Sequence, residues 1–136
     1  MGHERARTPR TALIVDDEPD ILAIGEVSLA RLGGWNVLVA SSAEKALALA
    51  ESARPDVVLL DLRMPGTDGA STLGRLKASP ATNSIPVIMM TAACRDEAAR
   101  ACLAAGAAGI ISKPFDPLHL SARIDLILEA GRKARP

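Results

Sequence analysis

Apolar runs in this chain end on groups that can do chemistry. "TALIV" runs into Asp16 and Asp17, "VVLL" into Asp61, "VIMM" into Thr91, and "GIIS" is followed by Lys113. Carboxylates gathered in one crevice repel, and each resists ionisation unless a cation shares the space. A hard divalent ion with oxygen ligands removes that conflict, and Mg2+ takes one or two carboxylates while keeping waters and a phosphate oxygen. Lys113 is the fixed cation of the group, suited to a resting carboxylate or to charge developing on a phosphoryl oxygen. The Thr91 hydroxyl can donate to another such oxygen. A nucleophilic carboxylate, a metal, a lysine and a hydroxyl make a site that takes a phosphoryl group onto an aspartate. Singly, each residue has an ordinary reading. Asp17 could cap the helix that Pro19 opens, and Thr91 could cap the helix after its own strand. Their joint arrival favours the site.

A sheet must position them. "TALIV" (11–15), "WNVLVA" (35–40), "DVVLL" (56–60), "IPVIMM" (85–90) and "GIIS" (109–112) are continuous apolar runs, as in strands buried on both faces. Helices are predicted between them. Pro19 starts one that stops at Gly33–Gly34. Ser41 with Glu44 reads as a capping box for a second, to about Ser52. Asp68 caps a third near 69–79, and "RDEAARACLAA" forms a fourth ending at Gly106. Asp116 caps the last, with Pro117 at its start and its end near Gly131. The order is βα five times, which implies an α/β domain with a parallel sheet covered on both faces. In such sheets ligands bind outside the carboxyl ends of the strands, where the reactive residues fall.

The chain has 136 residues, the size of one domain, and Trp35 and Phe115 are its only aromatics beside a largely aliphatic core. Its 16 basic and 16 acidic residues cancel, which gives no argument for nucleic-acid or membrane partners. No apolar run approaches a bilayer span and no signal peptide precedes the first one, so a cytoplasmic protein is expected. Residues 1–10, with His3, Arg5, Arg7 and Arg10, read as a mobile tail, and 132–136 as a tail or linker stub. Cys94 and Cys102 fall about two turns apart on one predicted helix, beyond bridging distance and without a metal-binding spacing, so they read as packing residues.

The stretches "LIVDDEP" (13–19), "LLDLRMPGTDG" (59–69), "IMMTA" (88–92) and "GIISKPF" (109–115) together resemble the receiver domain of two-component response regulators. The resemblance covers 11–131 and implies a flavodoxin-like (βα)5 fold with strand order 2-1-3-4-5. It implies Asp61 as phosphoacceptor, with Mg2+ or Mn2+ held by Asp17, Asp61 and the backbone carbonyl of Arg63. Asp16 would act mostly through a metal-bound water, and Thr91 and Lys113 would contact the phosphoryl group. A cis Lys113–Pro114 bond belongs to the same pattern. The implied donor is a sensor histidine kinase or a histidine phosphotransfer protein, and the implied target a downstream output domain or protein. Such a chain promotes its own phosphorylation and dephosphorylation and is no enzyme for other substrates. A homodimer is compatible, although Ala107–Ala108–Gly109 stands where one DNA-binding subfamily carries paired acids. Direct nucleic-acid binding is not expected.

One position departs from the pattern. Receivers usually place a tyrosine or phenylalanine three residues before the lysine, and here that switch position is Ile110. A β-branched aliphatic has few rotamers and no ring to swing inward, so the readout is expected to be muted, backbone-led or routed through another face. Two other functions compete. A haloacid-dehalogenase-like phosphatase would carry a second acid two residues past the nucleophile, where Arg63 stands, and a cap domain. A degenerate receiver that binds partners without phosphorylation would usually lack an acid or the lysine, and neither is missing.

Overall fold

A computed structural model describes residues 9–133, so the expected tails lie mostly outside the described residues. The apolar runs form strands β1 (Thr11–Val15), β2 (Asn36–Ala40), β3 (Val57–Asp61), β6 (Val87–Thr91) and β7 (Gly109–Ser112). Two short strands absent from the sequence reading, β4 (Arg63–Met64) and β5 (Thr67–Asp68), make a small antiparallel hairpin directly after Asp61. The helices are α1 (Pro19–Gly33), α2 (Ala43–Ala53), α3 (Gly69–Ala78), α4 (Glu97–Ala104) and α5 (Leu120–Lys133). The main sheet is parallel throughout, in the order β2-β1-β3-β6-β7. Counted among its own strands this is 2-1-3-4-5, the flavodoxin-like arrangement expected.

The strands lack polar alternation because both faces are covered. Leu13, Val58, Leu60 and Met89 pack with residues of α2, α3 and α4, including Ala46, Leu73 and Cys102. Ile14, Leu59, Ile88 and Met90 pack on the other face with Leu29 of α1 and Leu120 and Ile124 of α5. Trp35 closes this second layer, its Nε1 donating to Ser121 Oγ at 3.0 Å. Arg10 lies over the Trp35 ring at 3.9 Å and pairs with Asp125 at 2.7 Å, which ties the entry to β1 onto α5.

Three local expectations need correction. α2 starts one residue later than the capping box implied, and Ser42, not Ser41, accepts the Lys45 N–H. Ser42 directly precedes Ala43, the first helical residue, so its hydroxyl is the one that reaches an open N–H of the first turn. Asp116 does not cap α5. Its carboxylate instead accepts the Leu118 N–H at 3.0 Å and contacts His119 Nδ1 at 2.7 Å, holding a turn over 117–119 before the helix begins at Leu120. Cys94 lies in the loop before α4 rather than on the helix, because Asp96 supplies the cap by accepting the Ala99 N–H.

The loop that follows Asp61 is fixed by close backbone contact. Gly69 N donates to Leu62 O at 2.8 Å, and Asp68 caps α3 through the Ala70 N–H, as the sequence indicated. A Cβ on Gly69 would stand 2.5 Å from the Asp61 carbonyl oxygen and 2.7 Å from Leu62 Cα. Both obstacles are backbone and cannot rotate away. Gly69→Ala is therefore expected to cost about 1–3 kcal/mol in urea unfolding, as overpacking does. A variant as stable as wild type would show that this contact does not hold the Asp61 loop.

Candidate functional site

Sheet register delivers the expected residues to one edge. Val15 lies opposite Leu60, so Asp16 and Asp61, the next residue of each run, come side by side. Asp61 lies opposite Met90, and Thr91 opposite Ser112, which brings Lys113 in from the far side. Asp16 is fully buried, Asp61 and Thr91 are each 3% exposed, and Asp17 is exposed. One carboxylate oxygen from each of Asp16, Asp17 and Asp61 lies within 4.8 Å of the others.

The three acids are held differently. Asp16 N donates to Ala40 O at 3.1 Å, and Asp16 Oδ1 accepts the Glu18 N–H at 3.0 Å, which fixes that carboxylate at the start of α1. Asp61 Oδ1 takes a long 3.4 Å bond from Arg63 N. The Asp17 carboxylate has no hydrogen-bond or ion-pair partner among the described residues. Nor does it cap α1, whose N-cap residue is Glu18. The ordinary reading of Asp17 is thereby lost, and a bare carboxylate is left beside two buried ones.

Lys113 binds the cluster together. Its Nζ lies 2.9 Å from Asp16 Oδ2, 3.1 Å from Glu18 Oε1 and 3.3 Å from Asp61 Oδ1. Its backbone N donates to Thr91 O at 3.0 Å, and the Lys113–Pro114 bond is cis. Burial works against the ammonium charge, but hydrogen bonds to Asp16 and Glu18 and the charges of Asp16 and Asp61 outweigh it, raising the lysine above its ordinary value. Burial, and then the charge of Asp16, push Asp61 up to about 6, against the opposing pull of Lys113 and the Arg63 N–H. Thr91 Oγ1 accepts the Ala93 N–H at 3.0 Å and does not cap α4, where Asp96 holds that place.

The structure thus brings together Asp16, Asp17, Asp61, Thr91 and Lys113. Two further partners were not read from the sequence. Glu18, in the same "DDEP" run, lies 3.1 Å from Lys113 Nζ. The Arg63 guanidinium pairs with Asp96 at 2.6 Å. The cap bond from Ala99, and then that guanidinium, hold the Asp96 carboxyl below its ordinary value. Ile110 is half-buried against the core layer that contains α2, α3 and α4. An all-oxygen donor set of three clustered carboxylates, one of them unpaired, fits a hard divalent cation.

The chain belongs to the response regulator receiver domain family, whose model matches residues 12–125. It is a receiver of two-component signal transduction. It is 39% identical over 119 residues to the phosphate regulon transcriptional regulatory protein PhoB of Pseudomonas aeruginosa, covering 88% of this chain and 52% of that protein. Protein Rrf1 of Nitratidesulfovibrio vulgaris is 34% identical over 128 residues, covering 94% of this chain and 89% of Rrf1. The chemotaxis response regulator CheY4 of Vibrio cholerae superposes with a TM-score of 0.82 at 29% identity, covering 88% of this chain and 99% of CheY4. The chain spans about half the length of PhoB and of the transcriptional regulatory protein PhoP of Bacillus subtilis. Among the described residues no helix is long and apolar enough to cross a membrane.

The raised Asp61 value carries a stability consequence. The folded protein holds this proton more tightly than the unfolded chain, so the group favours folding below pH 3.8 and loses that contribution as pH rises through about 6. Near pH 7 without metal, Asp61→Asn is expected to be more stable than wild type by about 1–3 kcal/mol. The gap should close on acidification. Urea unfolding in chelator, followed by the fluorescence of buried Trp35, measures it. A variant no more stable than wild type would contradict the electrostatic account.

Proposed function

We propose that Asp61 accepts the phosphoryl group of a phosphohistidine, carried by a sensor histidine kinase or a histidine phosphotransfer protein, and that the product state controls an output partner. One observation carries this reading. A carboxylate only 3% exposed has a lysine Nζ 3.3 Å away and two further acids clustered with it, all at the carboxyl edge of a parallel sheet. An Asp61 carboxylate oxygen attacks phosphorus, the P–N bond to the donor imidazole breaks, and the ring leaves with that electron pair and takes up a proton. Asp16, Asp17, Asp61 and the Arg63 backbone carbonyl would hold Mg2+ (or Mn2+), with Asp16 acting mostly through water. When bound, the ion supplies positive charge against the phosphoryl oxygens. Lys113 exchanges its contact with Asp61 for a phosphoryl oxygen, and the Thr91 hydroxyl donates to another.

A protein donor is supported by the surface next to the site. Ile24, Val27 and Leu32 of α1 are exposed large apolar residues, and a groove of about 500 Å3 runs along them to Pro117. Ser28 Oγ donates to Pro117 O at 2.5 Å, so this face is joined to the segment that follows Lys113. The reading places the chain in the cytoplasm, with no direct nucleic-acid contact of its own and no turnover of other substrates.

Intact-mass measurement after acetyl phosphate and Mg2+ is expected to show one added phosphoryl group on wild type, and none on Asp61→Asn or in chelator. Labelling that survives Asp61→Asn, or an unlabelled wild type, would overturn the assignment. Val27→Asp is expected to slow transfer from a phosphohistidine donor protein at least tenfold while leaving acetyl phosphate labelling unchanged. Equal slowing with both donors would move the docking face elsewhere.

A further inference from the structure

With Ile110 at the expected switch position, a readout of Asp61 without an aromatic ring needs another contact. Arg63 stands where such a contact is needed. Its backbone N lies 3.4 Å from Asp61 Oδ1, and its residue pairs with Asp68 across the β4–β5 hairpin, which fixes the backbone on the site side. Its guanidinium reaches 2.6 Å to Asp96 Oδ2, on the segment that leads from Thr91 into α4. Asp96 holds two things at once. Its Oδ1 caps α4 through the Ala99 N–H at 2.9 Å, and its carbonyl accepts the Arg100 N–H at 3.2 Å. The Asp96 N–H in turn donates to Ala93 O at 3.1 Å, and Ala93 N is bonded to Thr91 Oγ1. One short chain of contacts therefore runs from the backbone beside Asp61 to the first turn of α4 and back to Thr91.

We propose that Arg63 is a positioning residue that straps the start of α4 through Asp96 while Asp61 is unmodified, and releases it when a phosphoryl group competes for the guanidinium. The inference rests on the phosphoacceptor reading of Asp61. A phosphoryl group on Asp61 adds oxygens with more than one negative charge two residues from Arg63, and a guanidinium pairs with such a group at least as well as with one carboxylate. The Arg63 side chain is 67% exposed, so its pair with Asp96 is weak, and weakness suits a contact that has to be exchanged. A strap of this kind biases the α4 start by no more than about fivefold. The backbone-led readout expected from Ile110 thus acquires a route. It leaves through the N-terminus of α4 and needs no aromatic ring.

Amide exchange at Ala99 and Arg100, the two N–H groups bonded to Asp96, reads the strap directly. In wild type, Mg2+ with beryllofluoride is expected to speed exchange at both amides severalfold. Arg63→Met keeps the backbone carbonyl and removes the guanidinium, and Asp96→Asn keeps a capping oxygen and removes the charge. Each is expected to speed exchange in the resting protein by up to about fivefold and to shrink the beryllofluoride step. The double variant should match either single one, because both remove the same contact. Arg63→Lys should keep most of the wild-type step. A beryllofluoride step undiminished in Arg63→Met, or additive effects in the double variant, would overturn the strap. A wild type that takes no phosphoryl group from acetyl phosphate would overturn the Asp61 reading and this coupling with it. A labelled wild type whose Ala99 and Arg100 exchange ignores Arg63 would overturn the coupling alone.

Discussion

Everything at the carboxyl edge of the sheet depends on one electrostatic conflict and its partial relief. Asp16 and Asp61 are buried side by side, Asp17 joins them from the surface, and a single ammonium lies within 3.3 Å of both buried acids. Lys113 sets one positive charge against three carboxylates, and burial, then the charge of Asp16, still push Asp61 up. A folded chain retains such an imbalance where a ligand completes the site, and a metal ion with an incoming phosphoryl group is the completion that fits these donors. The aliphatic strands are what make the conflict tolerable. Packed on both faces, they hold the carboxylates in place, where looser loops would let the charges separate into water.

The same arrangement sets how far a change at Asp61 can be felt. Lys113 is bonded to Thr91 through its backbone, and Thr91 starts the loop that ends in the α4 cap. Arg63 reaches the same cap from the opposite side of Asp61. Two chains of contacts that start beside Asp61 thus converge on Asp96, and neither passes through Ile110. On the proposed reading, an aliphatic at that position removes one mode of readout and leaves the α4 route.

The fold and the positions at its carboxyl edge were legible in the sequence for one reason: strands buried on both faces are written as unbroken apolar runs, so the residue after each run marks that edge. Asp16, Asp61, Thr91 and Lys113 could be placed by that rule before any contact was known. Side-chain pairings could not. Arg63 and Asp96 are 33 residues apart, Glu18 and Lys113 are 95 apart, and only the packed sheet brings each pair within reach. Local rules failed where two neighbours could play one part. The capping-box spacing pointed to Ser41 where Ser42 caps α2, and Asp116 holds the turn over 117–119 instead of starting α5. The β4–β5 hairpin left no signal because two-residue strands are too short for alternation to register.

The most direct test is a crystal structure of the wild-type chain with Mg2+ and beryllofluoride. The account predicts beryllium on a carboxylate oxygen of Asp61, the metal beside Asp16 and Asp17, and the Lys113 ammonium on a fluoride with its Asp61 contact broken. An adduct on any other residue, or an Asp61 still paired with Lys113 and carrying nothing, would contradict it.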